Sequence, residues 1–317
     1  MTGYIARRLL MMIPTLLGVA ILTFFMLRVV PGDVVQVKLM ADGGMVSPEA
    51  IEAERVRLGL DHSLTVQFLD WMRGIFTLDF GNSMWTGRPV AAEIASRFLV
   101  TFQAALMATI IAVFIAVPLG TVSALYRGTV LDYVVRVITI GGLALPSFWI
   151  GMLVLLCLLR YAHWLPPISY ISPTEDPWGN FTQMIWPSMV VGYRFSAVLA
   201  RLIRSSLLDV LNEDYIRTAR AKGVPARTVI WLHALKNALL PAVTVVGLEF
   251  AFLIGGLVVT EQVFNLNGVG KLFIQAVEHH DFTMIQGLVM MFAVIYVLAN
   301  LIVDLIYAAI DPRIRYR

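Results

Sequence analysis

Four sets of residues in this 317-residue chain have types and spacings that could do chemistry. His279 and His280 stand between Glu278 and Asp281, a run of metal-ligating types. Neighbouring positions on a helix point apart, so the two imidazoles cannot converge on one ion, and the run reads as a solvated loop with no metal. Gly270-Lys271 has the look of a phosphate-cradling loop, but Leu272 follows the lysine and Asn265 stands where the first glycine of G-x-x-x-x-G-K-[ST] belongs. The chain therefore brings no nucleotide loop of its own. Arg194, beside Gly192, Tyr193 and Ser196, and Glu249 are charged types inside long apolar stretches. Such a residue costs about 2.5 to 3.5 kcal/mol at a bilayer centre. Arg194 either lines a polar pathway or snorkels to headgroups; Glu249 either lines the pathway or pairs with another helix. Asp304 reads as a solvated end residue and Asn180-Phe181-Thr182 as a chance sequon. No Ser/His/Asp set and no pair of carboxylates shares one depth, so the chain is not expected to be a catalyst or to hold a cofactor.

The fourth set is the run from Asn212 to Pro241, a basic stretch between two membrane-length apolar ones. Asn212 can cap a helix whose first turn holds Glu213 and Asp214 and whose last turn holds Arg217, Arg220 and Lys222; Gly223 suits the position after it, and Pro225 blocks continuation. A helix of about ten residues is marginal alone in water, so it must pack on something. Tyr215, Ile216 and Ala219 share one face, with Glu213 and Arg217 paired to the side and Thr218 and Ala221 completing the helix. A small apolar face on a basic loop reads as a docking element, with an interfacial helix on anionic lipid as the alternative. Beyond it, Ile230, Trp231, Ala234, Leu235, Ala238 and Leu239 fall at helical spacing and run into the next apolar stretch.

The elements that must position these residues are membrane helices. Hydrophobic residues make up 59% of the chain and charged ones 14%, with a mean hydropathy of +0.79, far from the balance of a soluble domain. Six stretches reach the roughly 20 residues that a bilayer core needs: about 9 to 30, 100 to 125, 133 to 159, 184 to 207, 239 to 261 and 284 to 309. The apolar residues run continuously instead of alternating, which excludes a β-barrel. The first stretch lacks a small-residue cleavage site and reads as a retained anchor. Placing the N-terminus, the 125 to 135 turn, the 201 to 237 loop and the C-terminus on one side collects about 13 Lys/Arg against about 5 acids; the opposite loops hold about 9 against about 13. Lys/Arg bias then puts both termini in the cytosol. The basic residues follow topology and form no stacking platform, so nucleic acid is not an expected partner. The single Cys157 reads as a small buried hydrophobe.

Residues 31 to 99 form the one long segment outside the membrane, with short helices near 48 to 58 and 64 to 77 and turns at Gly59 and Gly81. Further outer loops cover 160 to 183 and 262 to 283. Prolines 14, 118, 146, 187 and 241 fall in or at the ends of predicted spans, where they can kink a helix.

Residues along nearly the whole chain carry a likeness. Asp214 to Gly223 followed by His233-Ala234-Leu235-Lys236-Asn237-Ala238-Leu239-Leu240-Pro241 resembles the cytoplasmic loop of bacterial ABC-importer permeases of the dipeptide/oligopeptide/nickel branch. Pro31-Gly32-Asp33, Leu58-Gly59-Leu60-Asp61 with Gln67-Phe68, Asp79-Phe80-Gly81-Asn82-Ser83, Arg88-Pro89-Val90, Leu145-Pro146-Ser147-Phe148, Glu261-Gln262-Val263-Phe264 with Gly268-Val269-Gly270, Asp281 and Gln286-Gly287 match in order and spacing. Arg217-Thr218-Ala219 stands where the wider importer pattern has Glu-Ala-Ala, Asn267 and Val34 where relatives often have proline.

The resemblance implies an all-α, six-helix permease of the type I importer fold. Residues 1 to 95 would form the first helix with an outer segment, 96 to 309 the permease domain with its loop 208 to 237, and 310 to 317 a cytoplasmic tail. It implies a second homologous permease, two cytosolic ATPases, a substrate-binding protein outside the bacterial inner membrane, and residues 213 to 223 as the coupling helix. Peptides are the implied cargo, with nickel or another small solute as the alternative. A gradient-driven transporter working alone is the remaining alternative; no inverted repeat supports it, and Glu249 is the carboxylate it would use.

Overall fold

The computed structural model describes residues 2–29, 35–36, 39, 47–57 and 59–310. Pro31-Gly32-Asp33, Val34, Leu58 and the tail from 311 lie outside the described residues. Every regular element among the described residues is a helix, and extended backbone pairs only at the isolated bridge between Asn82 and Pro89. In order these are α1 (Thr2–Val29), α2 (Pro48–Arg57), α3 (Leu64–Thr77), α4 (Val90–Leu125), α5 (Val130–Ala144), α6 (Ser147–Cys157), α7 (Pro177–Val210), α8 (Asp214–Ala221), α9 (Ala226–Ala238), α10 (Leu240–Gly256), α11 (Val258–Val263), α12 (Val269–Glu278) and α13 (Phe282–Ile310). The chain divides into two compact units, Met1–Leu99 with Asn267–Leu298, and Val100–Leu266 with Ala299–Arg317.

Among the described residues three helical stretches, Arg7–Met26, Val90–Leu125 and Phe282–Ile306, are long and apolar enough to cross a membrane, and bent pairs raise the number to at most five. One pair is α5 with α6 and its π-helical end to Ala162, bent by 102°. Leu145 at the break is extended because it precedes Pro146, whose ring disfavours helical geometry there. The other pair is α9 with α10, bent by 47° just ahead of Pro241. Pro14, Pro118 and Pro187 sit inside unbroken helices, so of the five prolines only two mark sharp bends.

The stretch expected as the fourth span is the 34-residue α7, which is long enough to cross a membrane but less apolar than the other spans. Its low hydropathy has a structural reason. α7 is the hub of the second unit and packs on α5, α6, α9, α10 and α11, so much of its surface meets protein. On α4 the residues Ala104, Ala108, Ala112, Ala116, Gly120 and Ala124 recur every fourth position and are buried. A Cβ on Gly120 would lie 2.7 Å from the Ala200 carbonyl oxygen, and one on Gly192 would lie 2.8 Å from that of Ala108. Small side chains thus bring the α4 and α7 backbones into direct contact, the means by which helices associate where lipid removes the hydrophobic drive. Asp176 caps α7 by accepting from Gly179 N–H at 2.9 Å, and Pro177 occupies its first turn.

In the first unit the start of α4, α12 and the start of α13 enclose Val90, Ile94, Val269, Leu272, Ala276, Phe282 and Leu288. Gly287 allows the approach, since a Cβ there would meet Val90 Cγ1 at 2.6 Å. α3 lies on α1 through an edge-to-face Phe24–Phe68 pair and a Trp71 Nε1–H bond to the Ala20 carbonyl at 3.3 Å.

Candidate functional site

The segment around α8 is held by both its ends and its middle. Its N-cap is Glu213, whose carbonyl accepts from Ile216 N–H at 3.1 Å and Arg217 N–H at 3.2 Å. Asn212, expected as the cap, instead donates its Nδ2–H to the Leu208 carbonyl at 2.9 Å and closes the end of α7. At the other end Gly223 has φ +76°, its N–H bonds the Arg220 carbonyl at 3.0 Å, and Val224 N–H reaches back to Ala219 at 3.2 Å. That is the two-bond termination in which glycine takes the left-handed position at no steric cost.

Ile216 is fully buried, at 0% exposure. It joins Ala124 at the end of α4, Leu207 near the end of α7, and Val229, Ala234 and Ala238 of α9, with Ala219 and Val224 packed against them. Tyr215 is tied in as well, its hydroxyl accepting from Asn237 Nδ2–H at 2.8 Å. The apolar face expected to dock on another protein is thus largely spent within this chain. What α8 leaves exposed is Asp214, Tyr215, Arg217, Thr218, Arg220, Ala221 and Lys222. Arg217 pairs with Asp214 at 3.4 Å, not with Glu213, which lies outside the helix.

The run after α8 keeps the expected direction but not the expected face. Residues Val229–Ala234 are π-helical, and the buried positions Val229 and Ala234 stand five apart, as i→i+5 bonding dictates. A 3.6-residue period cannot predict that shift. It leaves Trp231 57% and Leu232 62% exposed while Leu235 and Ala238 stay buried.

Arg194 is exposed on α7 and Glu249 half-buried on α10, two helices that pack together. Arg194 is the cation whose charge acts on Glu249, without a direct hydrogen bond. The two charges singled out separately thus lie on helices that pack together.

Three polar clusters had no role assigned in the sequence. In the second unit, Asp132 is buried and accepts from Ser123 Oγ–H at 2.6 Å, Gly128 N–H at 3.0 Å, and Arg204 through Nε–H at 3.1 Å and Nη2–H at 3.0 Å. In the same unit Thr101 Oγ1–H donates to the buried Glu261 at 2.6 Å. In the first unit, Asp281 accepts from the Ser83 hydroxyl, Met84 N–H at 3.0 Å and Met284 N–H at 3.1 Å. Two motif pieces about 200 positions apart, ending at Ser83 and at Asp281, thus form one joint. His279 stacks on Trp85 at 3.7 Å, and no group of three metal-ligating residues occurs among the described residues.

Comparison with known proteins bears on the whole length. Residues 116–316 match the binding-protein-dependent transport system inner membrane component, and residues 1–105 match the N-terminal part of the membrane component of such systems. This chain belongs to the ABC-importer permeases. The glutathione transport system permease protein GsiC of Salmonella choleraesuis (strain SC-B67) is 41% identical over 317 residues, covering 100% of both chains. GsiC of Escherichia coli (strain K12) is 40% identical over the same extent. The permease is a membrane-spanning subunit of an ATP-driven importer and not an enzyme, which accounts for the missing phosphate loop. As a member of a binding-protein-dependent system it works with a substrate-binding protein and with ATPase subunits in the inner membrane.

Proposed function

We propose that this permease forms half of a translocation pathway for short peptides, with a second, homologous permease supplying the other half, and that α8 is the handle by which a cytosolic ATPase moves it. The observation that carries this reading is the division of labour on α8. Ile216 anchors it to the ends of α4, α7 and α9, while Asp214, Arg217, Thr218, Arg220, Ala221 and Lys222 face outward. A push on the outer face is passed to three helices at once, since a close-packed cluster moves as a body. Swinging a gate from 1:99 to 99:1 takes about 5.5 kcal/mol of differential binding, which a docked helix can deliver only if it is rigidly tied.

The reading includes six spans, with α7 and the two bent pairs each counted as one, both termini in the cytosol, and the division at residues 95 and 309. The Lys/Arg bias of the loops supports that orientation. A peptide cargo is supported by the relatives, whose name assigns them glutathione, itself a small peptide. Arg194 and Glu249 present opposite charges of the kind a zwitterionic peptide offers, and we assign them to the pathway. The test is uptake into vesicles holding this permease, its partner permease and the ATPases, with binding protein outside. ATP-dependent uptake of a short peptide that an uncoupler leaves intact is expected, together with a cross-link from a cysteine at Thr218 to an ATPase. Uptake by the chain alone, driven by a gradient, would overturn the proposal.

A further inference from the structure

A basic concavity of about 480 Å³ opens where the turn after α4 meets the start of α5 and the end of α7, lined by Arg127, Asp132, Arg136, Arg204, Asp209 and Asn212 among others. Asp132 at its floor has its oxygens fully engaged, because Ser123, Gly128 and the two Arg204 nitrogens supply four donors to the roughly four acceptor sites of a carboxylate. Arg136 is therefore left with an ion pair to Asp132 and no hydrogen bond from its Nε–H. Its Nε lies 3.6 Å from Asp132 Oδ1, and that buried N–H has no hydrogen-bond partner. The guanidinium is held 4.5 Å over the Tyr133 ring, and the side chain is 42% exposed. Arg127 is exposed on the adjoining turn. With Asp209 counted, three cations face two carboxylates, so the concavity carries net positive charge.

The wall beside it is apolar and open. Tyr133, Val137 and Ile140 follow one another at helical spacing along α5 on the face next to Arg136 and are all exposed, Val137 by 69%. A basic pocket at a helix start with a continuous apolar strip leading away from it matches a molecule with an anionic head and a hydrocarbon tail. We propose that this concavity is a headgroup site for an anionic phospholipid, with Arg136 and Arg127 holding the phosphate and the α5 strip taking an acyl chain. Asp132 and Arg204 are the positioning pair that presents Arg136. Asn212 lines the concavity two residues before α8, so the bound lipid would lie against the root of the handle, at the cytoplasmic leaflet in the topology proposed above.

The test is native mass spectrometry of the full chain in detergent, titrated with phosphatidylglycerol, phosphatidylcholine or inorganic phosphate. Saturable phosphatidylglycerol binding is expected, with phosphatidylcholine much weaker. Replacing both cations, Arg127→Gln with Arg136→Gln, is expected to weaken it roughly 30-fold, and the Lys pair to restore most of it. Should the double variant fail to fold, Arg127→Gln alone, at an exposed turn position, is expected to cost roughly fivefold. Equal binding of the two lipids, or unchanged binding in these variants, would overturn the site. Displacement of phosphatidylglycerol by inorganic phosphate would reassign it to a soluble anion and overturn the lipid.

Discussion

Truncating Ile216 to alanine tests the mechanical role proposed for α8 without touching its outer face. The side chain is fully buried, so the change removes three carbons from the cluster formed with Ala124, Leu207, Val229, Ala234 and Ala238. At about 0.8 kcal/mol per carbon the lost transfer energy is about 2.4 kcal/mol. An unrelaxed cavity of roughly 80 Å³ adds about 2 kcal/mol at 24 cal/mol per Å³, for about 4 kcal/mol in all. That approaches the roughly 5.5 kcal/mol a driver must deliver to swing a two-state gate, so a tie weakened this far yields before the gate does. In proteoliposomes with the partner permease, ATPases and binding protein, Ile216→Ala is expected to cut uptake at least about tenfold per assembled complex while ATP hydrolysis persists. Ile216→Val, at about 0.5 to 1.5 kcal/mol, should give a graded, smaller loss. Wild-type uptake by the alanine variant in intact complexes would refute the idea that burial of Ile216 transmits the stroke.

Four further outcomes follow from the same geometry. Gly223→Ala meets no atom within 4 Å, so its cost is the left-handed backbone alone, about 1 to 2 kcal/mol; faster hydrogen exchange over residues 219 to 224 with reduced uptake is expected, and unchanged exchange would contradict it. Asp132→Ala leaves Arg204 unpaired in a partly buried setting and should cost about 3 kcal/mol, read as a lower thermal midpoint of the detergent-solubilised chain; an unchanged midpoint would count against the joint. Gly120→Leu drives a side chain into the Ala200 carbonyl and Ile203, so the α4–α7 contact must open and the chain is expected to be recovered in poor yield; a normally folded variant would show that the close approach is dispensable. Arg194→Gln and Glu249→Gln should each impair uptake with α8 still cross-linking to an ATPase, and normal uptake by both would remove the pair from the pathway.

The parts of this permease that were legible in the sequence are those governed by local rules. The two short helices expected after the first span appear as Pro48–Arg57 and Leu64–Thr77, and Gly59, Gly81 and Gly223 take the positive φ that their turns need. Cap and stop signals lie within a few residues of the backbone groups they satisfy, so a chain read in one dimension contains them. Even there a one-residue shift occurred, because Asn212 had a competing acceptor at Leu208 that only the end of α7 supplies.

What escaped the sequence depends on partners that are distant along the chain. A helix period of 3.6 assigned Trp231 to the buried face, but a π-helical turn spaces Val229 and Ala234 five apart and turns Trp231 outward. By length the stretch 184 to 207 counts with the other spans, and the low apolarity that sets α7 apart finds its reason, contact with protein, only once the alanine stripe of α4 is seen against it. What covers the apolar face of α8 was hidden for a related reason. An amphipathic eight-residue helix announces that its apolar side will be covered, yet the pattern is the same whether a partner protein or its own chain covers it. Here Ile216 is covered from within, and that bears directly on the coupling role proposed for α8. A handle whose apolar side gripped the motor would leave only backbone to connect it to the spans. One whose apolar side is buried among α4, α7 and α9 meets the motor through charged and small residues, which can detach and reform, while the stronger apolar bond stays on the side that must never let go.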